Sequence, residues 1–302
     1  MIIIKTVTNT LHHIRQNGSG SRKDNDGVMV KKQIEDIILQ HSARGMDKLR
    51  PYLADSFCQN AARAILSWPR GAVLLTTGFY VAGYAETDGP AGTVTLALAL
   101  QKLGFRAVIV TDTLCRGFFE CKDLETVYMR PEDGWSFCRR LLDRYRPVGL
   151  ISVERCGKNG DGDYANMRGV SIRTHTAPVD RLFELARGEI PTVGIGDGGN
   201  EIGMGCLQTQ IRQELGLNPC HVPVDHLIIA TVSNWGAYGL TACLSRQSGL
   251  PLLPARGEVE TYLRSTVAMG SVDGLSGKAE CRVDGFPLHV ELDILEELAK
   301  AV

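Results

Sequence analysis

From residue 72 onward, short apolar segments alternate with helix-like segments, and this alternation constrains the fold more than any other feature. The apolar segments have the length of buried strands, and they cover residues 72–77, 106–111, 148–153, 192–195 and 227–232. Helical spacing of apolar residues occupies two of the intervals, at residues 93–103 and 135–145. This order predicts an α/β fold in which a mainly parallel sheet carries helices on both faces, a Rossmann-like three-layer arrangement.

The regions on either side of this pattern differ from it. Residues 31–68 have helical periodicity, so we predict an N-terminal helical lead-in over residues 1–70 and the α/β domain over residues 71–302. Beyond Pro254 the pattern is mixed. It predicts a helix at residues 258–268, a hairpin within residues 281–290 and a last helix after it.

Polar side chains follow the predicted strands at their carboxyl ends. The densest group lies in the glycine-rich stretch 191–205. The polar residues concerned are Glu86, Asp88, Asp112, Glu154, Arg155, Asp197, Asn200, Glu201, Ser233 and Asn234. Because the carboxyl ends of parallel strands meet at one edge of a sheet, we expect these side chains to converge there.

Each of these residues also has a structural interpretation. Asp88 and Ser233 could cap the helices that follow them. The glycines at 194, 196 and 199 match the spacing of a dinucleotide-binding loop, but Asp197 within the loop would repel a pyrophosphate. We therefore expect no nucleotide cofactor, and the loop is either a structural turn or an acidic site for a metal or a substrate.

Several carboxylates at one edge would repel one another, so their charge must be compensated, and a divalent cation does this economically. Oxygen ligands suit a hard divalent cation, Mg²⁺, Mn²⁺ or Ca²⁺, better than zinc. We expect Asp88, Glu154, Asp197 and Glu201 to be the metal ligands, with Glu86 as an alternative ligand.

Composition excludes some partners. The formal net charge of −1 gives no reason to expect nucleic acid or an anionic membrane surface as a partner, and no apolar run approaches the length of a membrane helix. Nine cysteines without a C-x-x-C pair favour free thiols in a reducing compartment. Residues 1–23 contain four basic residues and no acidic one, which faintly resembles a transit peptide. We expect a cytoplasmic protein, or a mitochondrial one if the source is eukaryotic.

The motifs together resemble one known family. They are Glu86-Thr87-Asp88-Gly89-Pro90, Val153-Glu154-Arg155, Asp161-Gly162-Asp163-Tyr164, Asn166-Met167-Arg168, the stretch 194–205, Ser233-Asn234-Trp235-Gly236, residues 272–277 and residues 283–289. Over residues 70–300, in collinear order, the chain is similar to the D-glutamate cyclase C-terminal domain family.

The resemblance implies a lyase of the hydro-lyase type that converts D-glutamate to 5-oxo-D-proline with loss of water. The residues expected to act in catalysis are Glu86, Glu154, Arg155 and Arg168, with both arginines holding a substrate carboxylate. Glu86 is either a metal ligand or the general base. The residues expected to contact substrate are Gly198, Gly199, Asn200, Ser233 and Asn234, with Asn234 at an anion-binding helix start.

Two other functions fit the same residues. A divalent-metal-dependent phosphohydrolase would use an acidic edge with arginines equally well. A non-catalytic module that binds an acidic metabolite is the third reading, and the partner in each case is a small acidic molecule. Whether the chain forms a homo-oligomer is left open.

Overall fold

A six-stranded parallel sheet forms the centre of the computed structural model, which describes residues 33–42 and 44–302. The strands of the chain are β1 (Ala72–Thr76), β2 (Tyr80–Val81), β3 (Tyr84–Ala85), β4 (Arg106–Asp112), β5 (Glu125–Met129), β6 (Gly149–Val153), β7 (Thr192–Gly196), β8 (His226–Ile229), β9 (Arg282–Val283) and β10 (Phe286–Pro287). The sheet order is β5-β4-β1-β6-β7-β8, and every neighbouring pair is parallel. The predicted parallel sheet is confirmed.

The order of the sheet strands is that of a Rossmann-like fold. Counted along the chain among the sheet strands alone, the order is 3-2-1-4-5-6, which reverses direction between β1 and β6. In such sheets the crevice outside the carboxyl ends of the strands on either side of the reversal is the usual ligand site. The fold therefore directs attention to the loops that follow β1 and β6.

The central strands are apolar because both of their faces are covered. All five residues of β1 are buried, and Leu74 pairs with Val108 of β4 on one side and Leu150 of β6 on the other. A parallel strand in this position has no solvent-facing side, so its sequence is continuously hydrophobic rather than alternating.

The edge strand β5 was not predicted from the sequence. Four of its five residues are only partly buried, because nothing pairs with its outer edge in the sheet. Its sequence, Glu-Thr-Val-Tyr-Met, mixes polar and apolar residues and lacks the apolar run on which the other strands were identified.

Helices cover both faces of the sheet, which confirms the three-layer prediction. They are α1 (Ile34–Ile38), α2 (Met46–Leu49), α3 (Phe57–Ser67), α4 (Pro90–Lys102), α5 (Trp135–Tyr145), α6 (Asp180–Ala186), α7 (Gln208–Gln210), α8 (Ser233–Ser248), α9 (Arg256–Ala268) and α10 (Leu288–Ala301). Helix α8 packs against α3, α4 and α10 in one layer, and α5 packs against α6 in the other.

Helix α8 is central to its layer, and glycines let its neighbours approach it closely. Every residue from Ser233 to Ser245 is buried. A Cβ on Gly92 of α4 would lie 2.8 Å from Cβ of Ala237 and 2.9 Å from Cα of Asn234, so α4 can pack at this distance only with glycine there. The beginnings of α4 and α8 are thereby brought side by side below the strand ends.

The regions that flank the sheet contain the predicted element types. The lead-in comprises α1, α2, a 3-10 turn at Arg50–Tyr52 and α3. After Pro254 come α9, the short antiparallel hairpin β9–β10 and α10. The boundary between lead-in and domain at residues 70 and 71 stays a prediction, and the basic segment 1–23 lies outside the described residues. No helix in the described part is long and apolar enough to span a membrane.

Candidate active site

Loops from the carboxyl ends of three strands bring together three buried carboxylates. Asp88 follows β1, Glu154 directly follows β6, and Asp197 directly follows β7. One carboxylate oxygen from each lies within 4.8 Å of those of the other two. The predicted convergence at the point where the sheet order reverses is therefore present in the structure.

The start of helix α8 holds these three carboxylates in place through Ser233. Its backbone N–H donates to Oδ2 of Asp88 at 2.8 Å and to Oδ2 of Asp197 at 3.1 Å. Its hydroxyl donates to Oε2 of Glu154 at 2.6 Å. The positive end of the helix thus stabilises negative charge that the protein itself supplies.

One oxygen of this group has no partner. Oδ1 of Asp197 is buried and accepts no hydrogen bond from any described residue, although its other oxygen accepts two bonds or more. A buried carboxylate oxygen without a donor is strongly unfavourable unless a cation or a proton satisfies it.

Glu201 is held next to the three carboxylates by the glycine-rich loop. The backbone N–H groups of Gly198 and Gly199 donate to its Oε1 and Oε2, each at 2.8 Å. After burial, the charge of Glu201 is the largest cause of the raised pKa of Glu154. The glycines predicted to contact substrate therefore orient an acidic side chain through their N–H groups.

Two further carboxylates complete a group that we call the acidic cluster: Glu86, Asp88, Glu154, Asp197, Glu201 and Asp284. Glu86 is 5% exposed and makes no side-chain hydrogen bond in the described part of the chain. A Cβ on Gly274 would lie 2.3 Å from Oε2 of Glu86 and 2.7 Å from Oδ1 of Asp284, so both carboxylates border this glycine. Asp284 occupies the turn between β9 and β10, and the mixed C-terminal region thus contributes to the site.

Arg44 is the arginine that ion-pairs with the acidic cluster. Its Nη2 donates to Oδ2 of Asp197 at 2.8 Å and also bonds Oδ2 of Asp284. Sequence reasoning missed both Arg44 and the role of Asp284. Arg44 lies in a short loop before α2, outside any motif. Asp284 lies in a motif of the family resemblance and in an Asp-Gly hairpin turn, but neither signal assigned it a role in the site.

The electrostatics of the cluster favour protonation or a bound cation. Burial raises the pKa of Asp88 to about 7, with Asp284 the next cause, despite hydrogen bonds that oppose the shift. Burial together with neighbouring carboxylates also raises the pKa of Glu86 and of Glu154. Burial lowers the pKa of Arg44, but the charges of Asp197 and Asp284 outweigh that effect and raise it overall.

The backbone at Glu154 is strained. Its φ of +46° lies in the left-handed region, which a residue with a Cβ occupies at an energetic penalty. Asp284 also has positive φ, but there the hairpin turn requires it. At Glu154 the strain directs the carboxylate toward Ser233 and the other acids, as is common at functional sites.

These residues fit a divalent cation. The three closest carboxylates supply oxygen ligands only, one of their oxygens lacks any donor, and the surrounding charge is strongly negative. Such a donor set suits Mg²⁺, Mn²⁺ or Ca²⁺.

A cavity of 170 Å³ lies at the glycine-rich loop, and no residue of the acidic cluster lines it. The link between the two is the pair Gly198 and Gly199, which line the cavity and whose N–H groups hold Glu201. Gly198, Gly199 and Asn200 line it together with the loop of residues 159–169. Asn200 donates from Nδ2 to the carbonyl oxygen of Ala165 at 2.8 Å and lines the cavity, and its contact with substrate stays a prediction. The volume is several times the ~30 Å³ that one water molecule occupies, so it suits a small metabolite.

The two predicted arginine clamps have different positions, and Arg168 stands between Met167 and Gly169, which line the cavity, so its role stays a prediction. Arg155 is fully buried, and its Nη atoms bond Asp112 at 2.6 Å and the carbonyl oxygens of Gly78 and Ala177. Arg168 is exposed and has no side-chain bond in the described part of the chain. This placement argues against Arg155 as a carboxylate clamp, because both of its forked nitrogens are already engaged within the protein.

Two predicted substrate contacts serve instead to join helices. Ser233 is fully buried and bonds the acidic residues. Asn234 accepts bonds at its Oδ1 from the N–H groups of Gly89, at 3.0 Å, and Gly92, at 2.7 Å, and so caps helix α4. The start of α8 binds Asp88 in the position where we expected a substrate anion.

Comparison with known proteins identifies relatives of the chain. The family model described as D-glutamate cyclase-like, C-terminal, matches residues 34–299. The human protein D-glutamate cyclase, mitochondrial, is 32% identical over an alignment that covers 72% of this chain and 43% of that protein. The chain thus spans less than half the length of that relative.

Solved structures show weaker likenesses. The Bordetella bronchiseptica enzyme WbmH in complex with NAD⁺ matches with a TM-score of 0.30 and 16% identity, covering 60% of this chain and 54% of that one. The enzyme WbmG of the same organism, in complex with NAD, matches with a TM-score of 0.29 and 12% identity, covering 67% and 61%. Likenesses at this level carry no conclusion about the chain.

Proposed function

Since the chain belongs to the D-glutamate cyclase-like, C-terminal family, we propose that it catalyses the cyclisation of D-glutamate to 5-oxo-D-proline and water. The observation that carries the proposal is the group of three buried carboxylates in which Oδ1 of Asp197 has no partner among the described residues. A cavity of metabolite size lies at the glycine-rich loop that follows Asp197. Because the chain covers 43% of the human relative, the activity of that whole protein is part of the proposal.

The reaction forms one bond and breaks another within the same molecule. The α-amine attacks the carbon of the side-chain carboxyl group, a C–N bond forms, and a C–O bond breaks to release water. The enzyme must hold the two ends of the substrate close together, remove protons from the ammonium group and stabilise the negative charge that develops on oxygen.

Asp88, Glu154 and Asp197 are the residues that would hold a divalent cation, with Glu201 adjacent. A bound cation there supplies Lewis-acid stabilisation of negative charge on the reacting carboxyl group. Ser233 keeps the three carboxylates in fixed positions through its N–H and hydroxyl groups, so little reorganisation is needed when the substrate reacts.

Glu86 is the general base in this proposal. It is buried, has no side-chain hydrogen bond in the described residues, and its pKa is raised by burial and by Asp284. A carboxylate with a raised pKa is better matched to an ammonium group, whose pKa is near 8 or above, than an exposed one is. Glu86 takes, one after the other, the two protons that the ammonium nitrogen gives up, and it passes both to the oxygen that leaves as water.

The proposal also includes the enzyme class, the ligand, the cellular location and the cation. The chain would be a lyase of the hydro-lyase type with a small acidic metabolite as its partner. The human relative is mitochondrial by name, and a cytoplasmic location, or a mitochondrial one in a eukaryote, stays a prediction for this chain. The identity of the cation among Mg²⁺, Mn²⁺ and Ca²⁺ is part of what must be measured.

A chiral product assay tests the proposal. The protein, stripped of metal by a chelator, is incubated with D-glutamate or L-glutamate, with each cation supplied or withheld, and 5-oxoproline is quantified by enantiomer. We expect the D product, dependent on added cation, and its loss in Asp197→Asn. The matched control Asp143→Asn, which changes an exposed aspartate of α5, should retain full turnover.

The same assay separates the rival functions. A panel of phosphate esters under the same conditions reports a phosphohydrolase. Thermal stabilisation by D-glutamate without any product would indicate a binding module. Either result in place of 5-oxo-D-proline would contradict the proposed cyclase activity.

A further inference from the structure

The guanidinium group of Arg44 forms its ion pairs with the described residues through one nitrogen. Both of its ion pairs with the acidic cluster, to Asp197 and Asp284, are made by Nη2. In the described part of the chain Nη1 bonds only the thioether sulfur of Met167, at 3.5 Å. The side chain is 26% exposed, so part of it is open to solvent.

A thioether is a poor partner for this group. Methionine sulfur is a weak hydrogen-bond acceptor, whereas a guanidinium forms its strongest bonds with carboxylate oxygens. Replacing the sulfur by a carboxylate oxygen at Nη1 would therefore be favourable. Met167 is unbranched and flexible, so it can move aside at small expense.

Met167 lies between Arg44 and the cavity. It is one of the residues that line the cavity, together with Gly198 and Asn200. A Cβ on Gly198 would lie 3.1 Å from the sulfur of Met167 and 2.6 Å from Oε1 of Glu201, which places the sulfur beside the acidic cluster as well. A ligand in the cavity that displaces this side chain reaches Nη1 of Arg44.

We propose that Arg44, with Met167 as a movable side chain over it, forms a carboxylate-binding subsite, and that this subsite takes the α-carboxylate of the substrate. The assignment of the α-carboxylate rests on the proposed function. A dicarboxylate that reaches the acidic cluster needs a positive group, and in the described residues Arg44 is the cation that ion-pairs with cluster members, Asp197 and Asp284.

The choice between the two substrate carboxylates follows from the chemistry. The side-chain carboxyl group is the one that reacts, so it must lie against Asp88, Glu154 and Asp197, where a cation would be held. The α-carboxylate does not react and needs an anchor at a distance from that point. Anchoring it on an arginine at the edge of the cluster also directs the neighbouring amine toward the acidic side chains.

The first experiment measures binding without turnover. Glutarate is a dicarboxylate of the same length that lacks an amine and cannot cyclise, and its affinity is measured by calorimetry in the presence of the cation. For Arg44→Met we expect glutarate affinity to fall about 30-fold, the scale of one charge-assisted hydrogen bond. Affinity within a factor of two of the unchanged protein would overturn the subsite.

The second experiment tests whether Arg44 binds the α-carboxylate of the substrate. D-isoglutamine has a neutral amide in place of the α-carboxylate but retains the amine and the reacting side-chain carboxyl group. The unchanged protein should prefer D-glutamate over D-isoglutamine about 30-fold in kcat/KM, mainly through KM, and Arg44→Met should lose this preference. A preference that survives in Arg44→Met would contradict the assignment.

Control variants separate recognition from charge balance and folding. Arg44→Lys keeps the positive charge but lacks the fork, so intermediate affinity is expected. The double variant Arg44→Met with Asp284→Asn removes one positive and one negative charge, and glutarate binding should remain weak in it. If binding recovers in the double variant, the effect of Arg44 is charge balance alone and the subsite is wrong.

The outcomes distinguish this inference from the proposed function. If the unchanged protein makes no 5-oxo-D-proline yet binds glutarate through Arg44, the cyclase proposal fails and the carboxylate subsite stands. If turnover is present and KM for D-glutamate is the same in Arg44→Met, the subsite fails and the cyclase proposal stands.

Discussion

Two arginine–aspartate pairs, one fully buried and one partly exposed, lie in the same α/β fold and have opposite surroundings. Arg155 pairs with Asp112 at 2.6 Å, and its other bonds go to two neutral carbonyl groups. Arg44 pairs with Asp197 at 2.8 Å, but five more carboxylates of the acidic cluster surround that pair. The first pair is balanced in charge, whereas the second leaves a large negative excess.

The difference separates a structural ion pair from a functional one. The Arg155–Asp112 pair is balanced in charge, and the hydrogen bonds of Arg155 join it to β4, the loop after β1 and the loop before α6, although its Nε has no partner among the described residues. An unbalanced group with an orphaned oxygen on Asp197 is unfavourable by itself and gains free energy when a cation or a proton arrives. We therefore expect substitutions in the two pairs to affect different measurements.

The largest effect is expected from Asp197→Asn. Turnover of D-glutamate should fall at least about 1,000-fold, equal to roughly 4 kcal/mol, because a ligand oxygen of the reacting centre is lost. The free energy of unfolding in the metal-free protein should stay the same or rise, because one buried like charge is removed. Steady-state kinetics measures the loss of turnover, and urea unfolding measures the free energy of unfolding. A large loss of stability would contradict the comparison.

Arg155→Met is expected to lower the stability of the fold by a free energy comparable to the loss of catalysis in Asp197→Asn. Removing one partner of a buried ion pair leaves the other charge uncompensated and lowers the free energy of unfolding by about 3–5 kcal/mol. The double variant with Asp112→Leu should recover most of this loss, because both charges are then gone. Urea unfolding measures both variants. If Arg155→Met weakens substrate binding while stability is unchanged, Arg155 is a clamp after all.

Glu291 is a buried carboxyl group outside both pairs, with hydrogen-bond donors but no ion pair among the described residues. Trp235 and Tyr238 donate to its two oxygens, and burial, followed by the charge of Asp88, raises its pKa to about 8. The folded state therefore holds this proton at pH values where the unfolded chain has released it. Stability from this group is full below about pH 4.5 and is lost as pH rises through 8.

Glu291→Gln should remove the contribution of this carboxyl group to the pH dependence of stability. Between pH 5 and 8 the metal-free unchanged protein should lose up to about 1.4 kcal/mol of stability per pH unit from this group, and the variant should show a correspondingly smaller slope. Thermal or urea unfolding across this range, with chelator present, measures the difference. Identical slopes would mean that Glu291 is already ionised in the folded protein.

The smallest effect concerns the strained backbone at Glu154. Asparagine tolerates positive φ better than alanine does, so Glu154→Asn should be more stable than Glu154→Ala by about 0.5–1 kcal/mol, and both should lack activity. Urea unfolding of the two variants tests this. Equal stability would indicate that the left-handed conformation at this position relaxes when the carboxylate is removed.

The sheet and much of the acidic cluster could be predicted because local sequence carries their signals. Continuous apolar runs marked β1, β6 and β7, and parallel strands bring their carboxyl ends to one edge, so Asp88, Glu154 and Asp197 had to converge. The family resemblance supported the same residues independently.

The partners of these residues could not be predicted, because they depend on contacts distant in sequence. Arg44 reaches Asp197 across 153 positions, and Asp88 accepts its hydrogen bonds from a helix that begins 145 positions later. Nothing local to Arg44 or Asp284 indicates these contacts. For the same reason Arg155, beside Glu154 in sequence, was expected in the site, although alternate residues after a strand can point in opposite directions.

Titration of the chelator-treated protein with Mn²⁺, Mg²⁺ and Ca²⁺ by isothermal calorimetry tests the central claim most directly. The account predicts saturable binding of at least one of these cations by the unchanged protein, and loss of that binding in Asp197→Asn but not in Asp143→Asn. Absence of any binding heat and of any thermal stabilisation by all three cations would contradict it.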